Sequence, residues 1–139
     1  MAQPPTSNKR AVLIVDDEPD ILESLCDLFE AALEGVACRT ASSGQAALDI
    51  LQKGDVDLIL SDYKMPGMNG LQFLEKARQV APDVPRMIMT AFPDLDVAIE
   101  AINEARIETF FTKPLDPDKV VKGVASALEA RKLRPRRSN

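Results

Sequence analysis

The sequence predicts an α/β fold, a doubly wound five-stranded parallel sheet with flanking helices. Five short apolar runs alternate with amphipathic stretches from about residue 11 to about residue 130. Each run is apolar on both faces, as expected for parallel strands that are covered by helices on each side. With 139 residues, 45% of them hydrophobic, the chain fits one domain with a single core.

Each predicted strand is followed by the signals of a helix. The strands are expected at 11–15, 36–40, 57–61, 86–90 and 109–112. Helix ends are marked by Gly35 and Gly54, and helix starts by Ser42 or Ser43, Asp94, and Asp116 with Pro117. Apolar residues at helical spacing predict the buried faces: Leu22, Leu25, Cys26 and Phe29; Ala47, Ile50 and Leu51; Leu71, Leu74 and Ala77; Ala98, Ile102 and Ala105; Val120, Val121, Val124 and Leu128.

Charge and composition exclude several classes of protein. The net charge is −5, yet residues 131–139 contain only basic charges, so the preceding residues are strongly acidic and unsuited to nucleic acid. We expect residues 1–9 to be disordered, 10–130 to form the domain, and 131–139 to be a basic, solvated tail or the start of a linker. No apolar stretch approaches a membrane span of about 18 residues, so a cytoplasmic protein is expected. Cys26 and Cys38 are interpreted as small core residues in a reducing compartment.

Polar side chains stand at the carboxyl ends of four predicted strands: Asp16 with Asp17, Asp62, Thr90 and Lys113. In open parallel sheets, ligands bind at this edge, where the winding direction reverses. If the first and third strands are neighbours, about 5 Å apart, the three carboxylates converge. Each pair of anions about 4 Å apart would repel by about 4 kcal/mol at an effective dielectric constant near 20. A set of carboxylates with a main-chain carbonyl therefore predicts a Mg²⁺ site, with Mn²⁺ as the alternative ion.

Asp62 has two possible roles, as a ligand alone or as a ligand and nucleophile that forms an acyl phosphate. The ammonium group of Lys113 and the hydroxyl of Thr90 are available to share the charge of a phosphoryl group. The chain contains no histidine, so it lacks the usual general base for a multi-turnover hydrolase. A phosphohistidine donor would have to lie on another molecule.

Four motifs together resemble the receiver domain of two-component response regulators, which has a flavodoxin-like (βα)5 fold. They are VDDE (15–18), SDYKMPGMNG (61–70), MTA (89–91) and FFTKP (110–114), in matching order and spacing. The resemblance implies that Asp62 accepts a phosphoryl group from a sensor histidine kinase or a phosphotransfer protein. It also implies that Asp16, Asp17, Asp62 and the carbonyl of Lys64 bind the magnesium, and that Thr90 and Lys113 bind the phosphoryl oxygens.

The resemblance also implies a conformational switch. Thr90 would move inward on phosphorylation, and Phe110, which replaces the tyrosine common at this position, would follow by ring burial alone. The surface of the fourth predicted helix, the fifth strand and the fifth predicted helix would then change its partner or form a homodimer. A cis Lys113-Pro114 peptide bond is a further expectation. Lys64 and Phe92 occupy positions that resemble those modulating the lifetime of the phosphorylated state.

Two other functions remain open from the sequence. One is a degenerate receiver that acts as a phosphorylation-independent protein-binding scaffold. The other is a magnesium phosphatase with an aspartyl-phosphate intermediate, although Asp-Tyr-Lys at residue 62 is not the DxD motif of the haloacid-dehalogenase type. The prediction is a signalling phosphoacceptor that catalyses only its own phosphoryl transfer and dephosphorylation, rather than an enzyme.

Overall fold

The computed structural model describes residues 9–91, 99, 103, 107 and 109–132. The strands and helices with described ends are β1 (Arg10–Val15), α1 (Pro19–Ala32), β2 (Val36–Ala41), α2 (Gly44–Gln52), β3 (Leu58–Asp62), α3 (Gly70–Val80), β4 (Arg86–Thr90), β5 (Thr109–Thr112) and α4 (Pro117–Lys132). The helix predicted between β4 and β5, with Asp94, Ala98, Ile102 and Ala105, lies outside the described residues except for Ile99 and Asn103, which are helical. Within the described part of the chain, no helix has the length and apolar character of a membrane span.

The five strands form one parallel sheet in the order β2-β1-β3-β4-β5. The prediction of a doubly wound parallel sheet is therefore confirmed, and the condition for the carboxylates to converge, that β1 and β3 are neighbours, is met. The register brings Val15 level with Ser61, and Thr90 level with Thr112. Because the strands are parallel and nearly level, their carboxyl ends lie along one edge, with the reversal of winding between β1 and β3.

The core has one layer on each face of the sheet. On one face, α2 and α3 pack Leu51, Phe73 and Leu74 against the strands. On the other face, α1 and α4 pack residues such as Phe29 and Val124. Fully burying one such side chain contributes about 1.5–3 kcal/mol, so these helical stripes hold the layers together.

Most of the inward-facing residues predicted for these helices are buried. Two large residues that the pattern did not include, Leu48 and Phe73, are buried as well. Cys26 and Cys38 are free, half-buried thiols, and burial raises the pKa of both. Both pack against the core layer of α1 and α4, at its margin rather than in its interior as predicted.

Helix starts follow the predicted polar residues, whereas helix ends come earlier than the glycines. Ser43, one of the two candidates, caps α2 by accepting a hydrogen bond from the N–H of Ala46 at 3.1 Å. Asp116 accepts hydrogen bonds from the first turn of α4. α1 ends at Ala32, and Gly35 lies beyond it in a left-handed turn with φ of 75°. The glycine therefore serves the turn into β2 rather than the last helical residue.

The structure corrects the expectation for Arg131. α4 continues through Lys132, two residues past the predicted end of the domain, and Arg131 is part of its last turn. The guanidinium Nε lies 3.3 Å from Oδ1 of Asp57, which is fully buried and also contacts Arg10 at 3.3 Å. Arg131 additionally donates to the carbonyl of Asp83 at 2.6 Å. A buried carboxylate needs such partners, so Arg131 belongs to the domain and not to a solvated tail. The preceding segment, residues 1–8, and residues 133–139 lie outside the described residues.

Candidate functional site

The predicted site residues meet at the carboxyl edge of the sheet. Asp16 follows β1, Asp62 ends β3, Thr90 ends β4 and Lys113 follows β5. An open cleft of about 550 Å³ lies above them, lined by Asp17, Glu18, Asp62, Lys64, Met65, Pro66, Thr90, Ala91 and Lys113. Every residue predicted to bind metal or phosphoryl group is in this lining except Asp16, which is fully buried beneath it.

Three carboxylates form a cluster that can hold a metal ion. One oxygen each of Asp16, Asp17 and Asp62 lies within 4.8 Å of the others. Asp16 and Asp62 are buried, whereas Asp17 is exposed on the cleft side. Three carboxylates this close repel one another, and an all-oxygen donor set without histidine or thiolate suits Mg²⁺. The residues present therefore fit a divalent ion, and the exposed side leaves room for water and phosphate oxygens.

Lys113 bridges the two buried carboxylates. Its Nζ lies 3.2 Å from Oδ2 of Asp16 and 3.2 Å from Oδ1 of Asp62. Its main-chain N–H donates to the carbonyl of Thr90 at 2.8 Å, which fixes the lysine at the end of β5. One ammonium group against three carboxylates leaves two negative charges uncompensated, the charge that a divalent cation would neutralise.

The pKa values of Asp62 and Lys113 reflect the closeness of these charges. Burial raises the pKa of Asp62, and the negative charge of Asp16 raises it further, while Lys113 opposes both effects. Burial lowers the pKa of Lys113, but Asp16 and Asp62 together outweigh it, so that the pKa is raised overall. Lys113 is therefore cationic, whereas ionisation of Asp62 is less favourable than that of an isolated carboxyl group.

The main chain of Asp62 is clamped between β4 and α3. The N–H of Tyr63 donates to the carbonyl of Met89 at 2.9 Å, and the N–H of Gly70 donates to the carbonyl of Tyr63 at 2.7 Å. A Cβ at Gly70 would collide with the carbonyl oxygen of Asp62 and stand 2.8 Å from the Cα of Tyr63. Glycine is therefore required here, because α3 begins directly against the backbone of the residue predicted to be phosphorylated.

The two predicted switch residues occupy different environments. Thr90 is almost fully buried at the floor of the cleft. Phe110 is half-buried and packs against the core layer of α2 and α3, level with Ile88. The Lys113-Pro114 peptide bond is cis, as predicted. Phe92 lies outside the described residues.

Sequence reasoning missed the part that Glu18 takes in the site. Glu18 is the residue before α1, and its main-chain N–H donates to Oδ1 of Asp16 at 2.9 Å. Its exposed side chain lines the cleft beside Asp17. The acidic run DDE was visible in the sequence, but a main-chain hydrogen bond leaves no signal in residue type.

Comparison with known proteins identifies the family. The profile of the response regulator receiver domain matches residues 12–125 of this chain. The chain belongs to this family. The receiver is 35% identical over 118 residues to the transcriptional regulatory protein GlrR of Escherichia coli K12, and 40% identical over 117 residues to the DNA-binding transcriptional regulator NtrC of Klebsiella pneumoniae. These alignments cover 85% and 83% of this chain but only 26% and 24% of the relatives, so the receiver spans about a quarter of their length.

Solved structures agree with this assignment. A signal receiver domain of an HD domain-containing protein from Pseudomonas fluorescens Pf-5 has a TM-score of 0.85 and 29% identity, with 91% of this chain and 99% of that chain covered. A response regulator receiver domain from Clostridium thermocellum has a TM-score of 0.81 and 29% identity, covering 89% of this chain and 98% of that chain. Receiver domains of two-component systems take phosphoryl groups from histidine kinases and act as signalling phosphoacceptors. The comparisons give no support to the scaffold or phosphatase alternatives.

Proposed function

We propose that this receiver accepts a phosphoryl group on Asp62, in a Mg²⁺-dependent reaction, from a phosphohistidine of a sensor histidine kinase or a phosphotransfer protein. The strongest support is the convergence of Asp16, Asp17 and Lys113 on Asp62 from three different strand ends. Burying like charges side by side costs folding free energy. Binding of a cation and a phosphoryl group explains why the chain keeps so costly a cluster. The domain is a phosphoacceptor that promotes only its own phosphorylation and dephosphorylation.

Each of the predicted site residues has a role in this reaction. A carboxylate oxygen of Asp62 attacks phosphorus, the bond to the donor imidazole nitrogen breaks, and an acyl phosphate results. Lys113 and Thr90 bind the phosphoryl oxygens, which is the positioning that phosphoryl transfer requires. Asp16, Asp17 and Asp62, with the main-chain carbonyl of Lys64, would hold the Mg²⁺. The bound ion supplies neutralisation of charge on the phosphoryl oxygens.

We propose further that phosphorylation changes a surface formed by β5, α4 and the helix predicted before β5. Thr90 moves toward the phosphoryl group, and Phe110 fills the space that it leaves. Changing a two-state population from 1:99 to 99:1 takes about 5.5 kcal/mol, which a few charge-assisted hydrogen bonds to one phosphoryl group can supply. The output is a changed partner or a homodimer at this surface. The domain acts in the cytoplasm and does not itself bind nucleic acid.

Mass spectrometry of the intact chain tests the proposal. The receiver is incubated with MgCl2 and a small acyl-phosphate donor, and we expect the mass of one phosphoryl group to be added. Asp62→Asn should abolish the addition, and a chelator of divalent ions should suppress it. No added mass, or addition that survives Asp62→Asn, would refute the assignment.

A further inference from the structure

The loop between β3 and α3 carries Lys64, the expected main-chain ligand, and is held at both ends and in its middle. Its ends are fixed by the hydrogen bonds of Tyr63 and Gly70 described above. In its middle, Met65 is buried in the core layer of α2 and α3, and Met68 packs against the same layer. The position of the loop therefore depends on what lies beneath these two methionines.

Gly44, the first residue of α2, lies directly beneath the Met68 side chain, which packs against it. Gly44 is buried, and the turn in which it lies is held by the cap at Ser43. A Cβ built on Gly44 would stand 2.8 Å from Sδ of Met68, 3.4 Å from Cβ of Met68 and 3.3 Å from Cβ of Phe73. The loop therefore packs against a residue without a side chain. This residue lies at the N-terminus of a helix that contributes no residue to the cleft.

The three short distances have different consequences. The thioether of Met68 is flexible, so its sulfur can rotate away at little cost in folding free energy. The Cβ of Met68, at 3.4 Å, would stay at ordinary contact distance, and the Cβ of Phe73, at 3.3 Å, would have to shift by only a few tenths of an ångström. A methyl group at residue 44 would therefore turn the Met68 side chain out of its position on α2, and the middle of the loop would lose that packing contact.

We propose that Gly44 is a positioning residue for the metal site, acting through Met68 on the loop that carries Lys64. The inference rests on the proposed function, because it requires that Lys64 and the three carboxylates bind Mg²⁺. Groups that orient metal ligands typically change affinity by about 10-fold to 100-fold when they are altered. Gly44→Ala should accordingly weaken Mg²⁺ binding by about tenfold, although residue 44 touches no ligand.

Mg²⁺ binding is measurable in this chain without a label. Tyr63 is the single tyrosine, there is no tryptophan, and Tyr63 is adjacent to Asp62 in the sequence. Titration with MgCl2 is followed by tyrosine fluorescence and, as a second signal, by the rise of Tm with Mg²⁺ concentration. Tm without metal should not fall in Gly44→Ala, because alanine is the better helix former.

A double-mutant cycle separates positioning from a general effect on folding. In a Met68→Ala background the clashing side chain is gone, so adding Gly44→Ala should change the Mg²⁺ dissociation constant by less than about twofold. Gly123→Ala is the matched control. Its Cβ would also stand 2.8 Å from a side-chain atom, of Phe111, but on the face of α4, and it should leave Mg²⁺ affinity within about twofold. An equal loss from Gly44→Ala in the Met68→Ala background and in the unaltered chain, or no loss in either, would overturn the inference.

The phosphorylation rate supplies a second readout. Since only affinity for the ion is expected to change, saturating MgCl2 should restore the rate of Gly44→Ala to that of the unaltered chain. A rate that stays low at saturation would mean that residue 44 acts on the phosphoacceptor itself, and it would contradict the proposal. If the unaltered chain binds Mg²⁺ and is phosphorylated, and Gly44→Ala binds Mg²⁺ with the same affinity, the inference fails while the proposed function stands. An unaltered chain that does neither would defeat the proposed function.

Discussion

Lys113 is the residue that makes the carboxylate cluster tolerable when no ion is bound. It contacts Asp16 and Asp62 at 3.2 Å each, yet the pKa of Asp62 is still raised by burial and by the charge of Asp16. One ammonium group thus offsets only part of the cost. At the scale of single residues, the site gives up folding stability for the capacity to bind a cation and a phosphoryl group.

We therefore expect Asp62→Asn to raise the free energy of unfolding at neutral pH without Mg²⁺. The pKa of Asp62 is higher in the folded chain than its ordinary value of 3.8. The folded chain therefore keeps the proton on Asp62 up to a higher pH than the unfolded chain does. The contribution of Asp62 to the free energy of unfolding therefore falls as the pH rises from about 4, near its ordinary pKa, through its higher pKa in the folded chain. The gain from Asp62→Asn should therefore be present at neutral pH and disappear in acid.

Denaturant unfolding from pH 4 to pH 8 measures this difference. Asp49→Asn is the matched control, because Asp49 is exposed on α2 and an asparagine can still accept the hydrogen bond from Gln45. A variant Asp62→Asn that is less stable than the unaltered chain at pH 7 would show that the Lys113 contacts outweigh the repulsion.

At the scale of elements, α3 has the most completely capped start among the helices with described ends. Asn69 accepts from the N–H of Gln72 at 2.9 Å, and the side chain of Gln72 accepts from the N–H of Asn69 at 2.9 Å, which is a capping box. This cap lies immediately after the loop that carries Lys64. It therefore stabilises both the helix and the far end of the metal-binding loop.

Asn69→Ala should cost about 1 kcal/mol of folding free energy, the typical loss of an N-cap. The fall in Tm is measured by calorimetry, with Gln79→Ala as the control because Gln79 is exposed in the same helix. The control should change stability by less than about 0.5 kcal/mol. An equal effect of the two substitutions would mean that the capping box contributes nothing beyond helix propensity.

The sequence predicted the elements well where local signals decide them. β4 and β5 have the predicted bounds, because apolar runs flanked by polar residues specify short buried strands. The meeting of Asp16, Asp62, Thr90 and Lys113 at one edge of the sheet was also predicted, since the parallel order brings the strand ends together. Two features were not predicted: the packing of Met68 against Gly44, and the contacts of Arg131 with Asp57 and Asp83. Both depend on contacts between segments far apart in the chain. No periodicity in residue type records such contacts.

At the scale of the whole molecule, the two edges of the sheet are specialised for different tasks. The carboxyl edge holds the acidic cleft, whereas the opposite edge holds the buried Asp57 with Arg10 and Arg131. The second cluster joins the start of β1, the start of β3 and the end of α4. It stabilises the fold without approaching the residues of the cleft.

Asp57→Ala should therefore cost about 3–5 kcal/mol, the usual loss when one partner of a buried ion pair is removed. Asp57→Asn should cost less, because its amide oxygen can still accept the hydrogen bond from the N–H of Ala11. Denaturant unfolding gives both values. Mg²⁺ affinity of the folded Asp57→Asn variant should stay within about twofold of the unaltered chain, and a larger loss would show that the two edges are energetically coupled.

The anchoring of Arg131 has a consequence for how a signal can leave this receiver. The last turn of α4 lies at the edge opposite Asp62, and the five residues of β3 separate the two edges by about 17 Å. The end of α4 is therefore remote from the proposed phosphorylation site. An effect of the proposed phosphorylation on this end of α4 would therefore require a movement transmitted along the full length of the sheet.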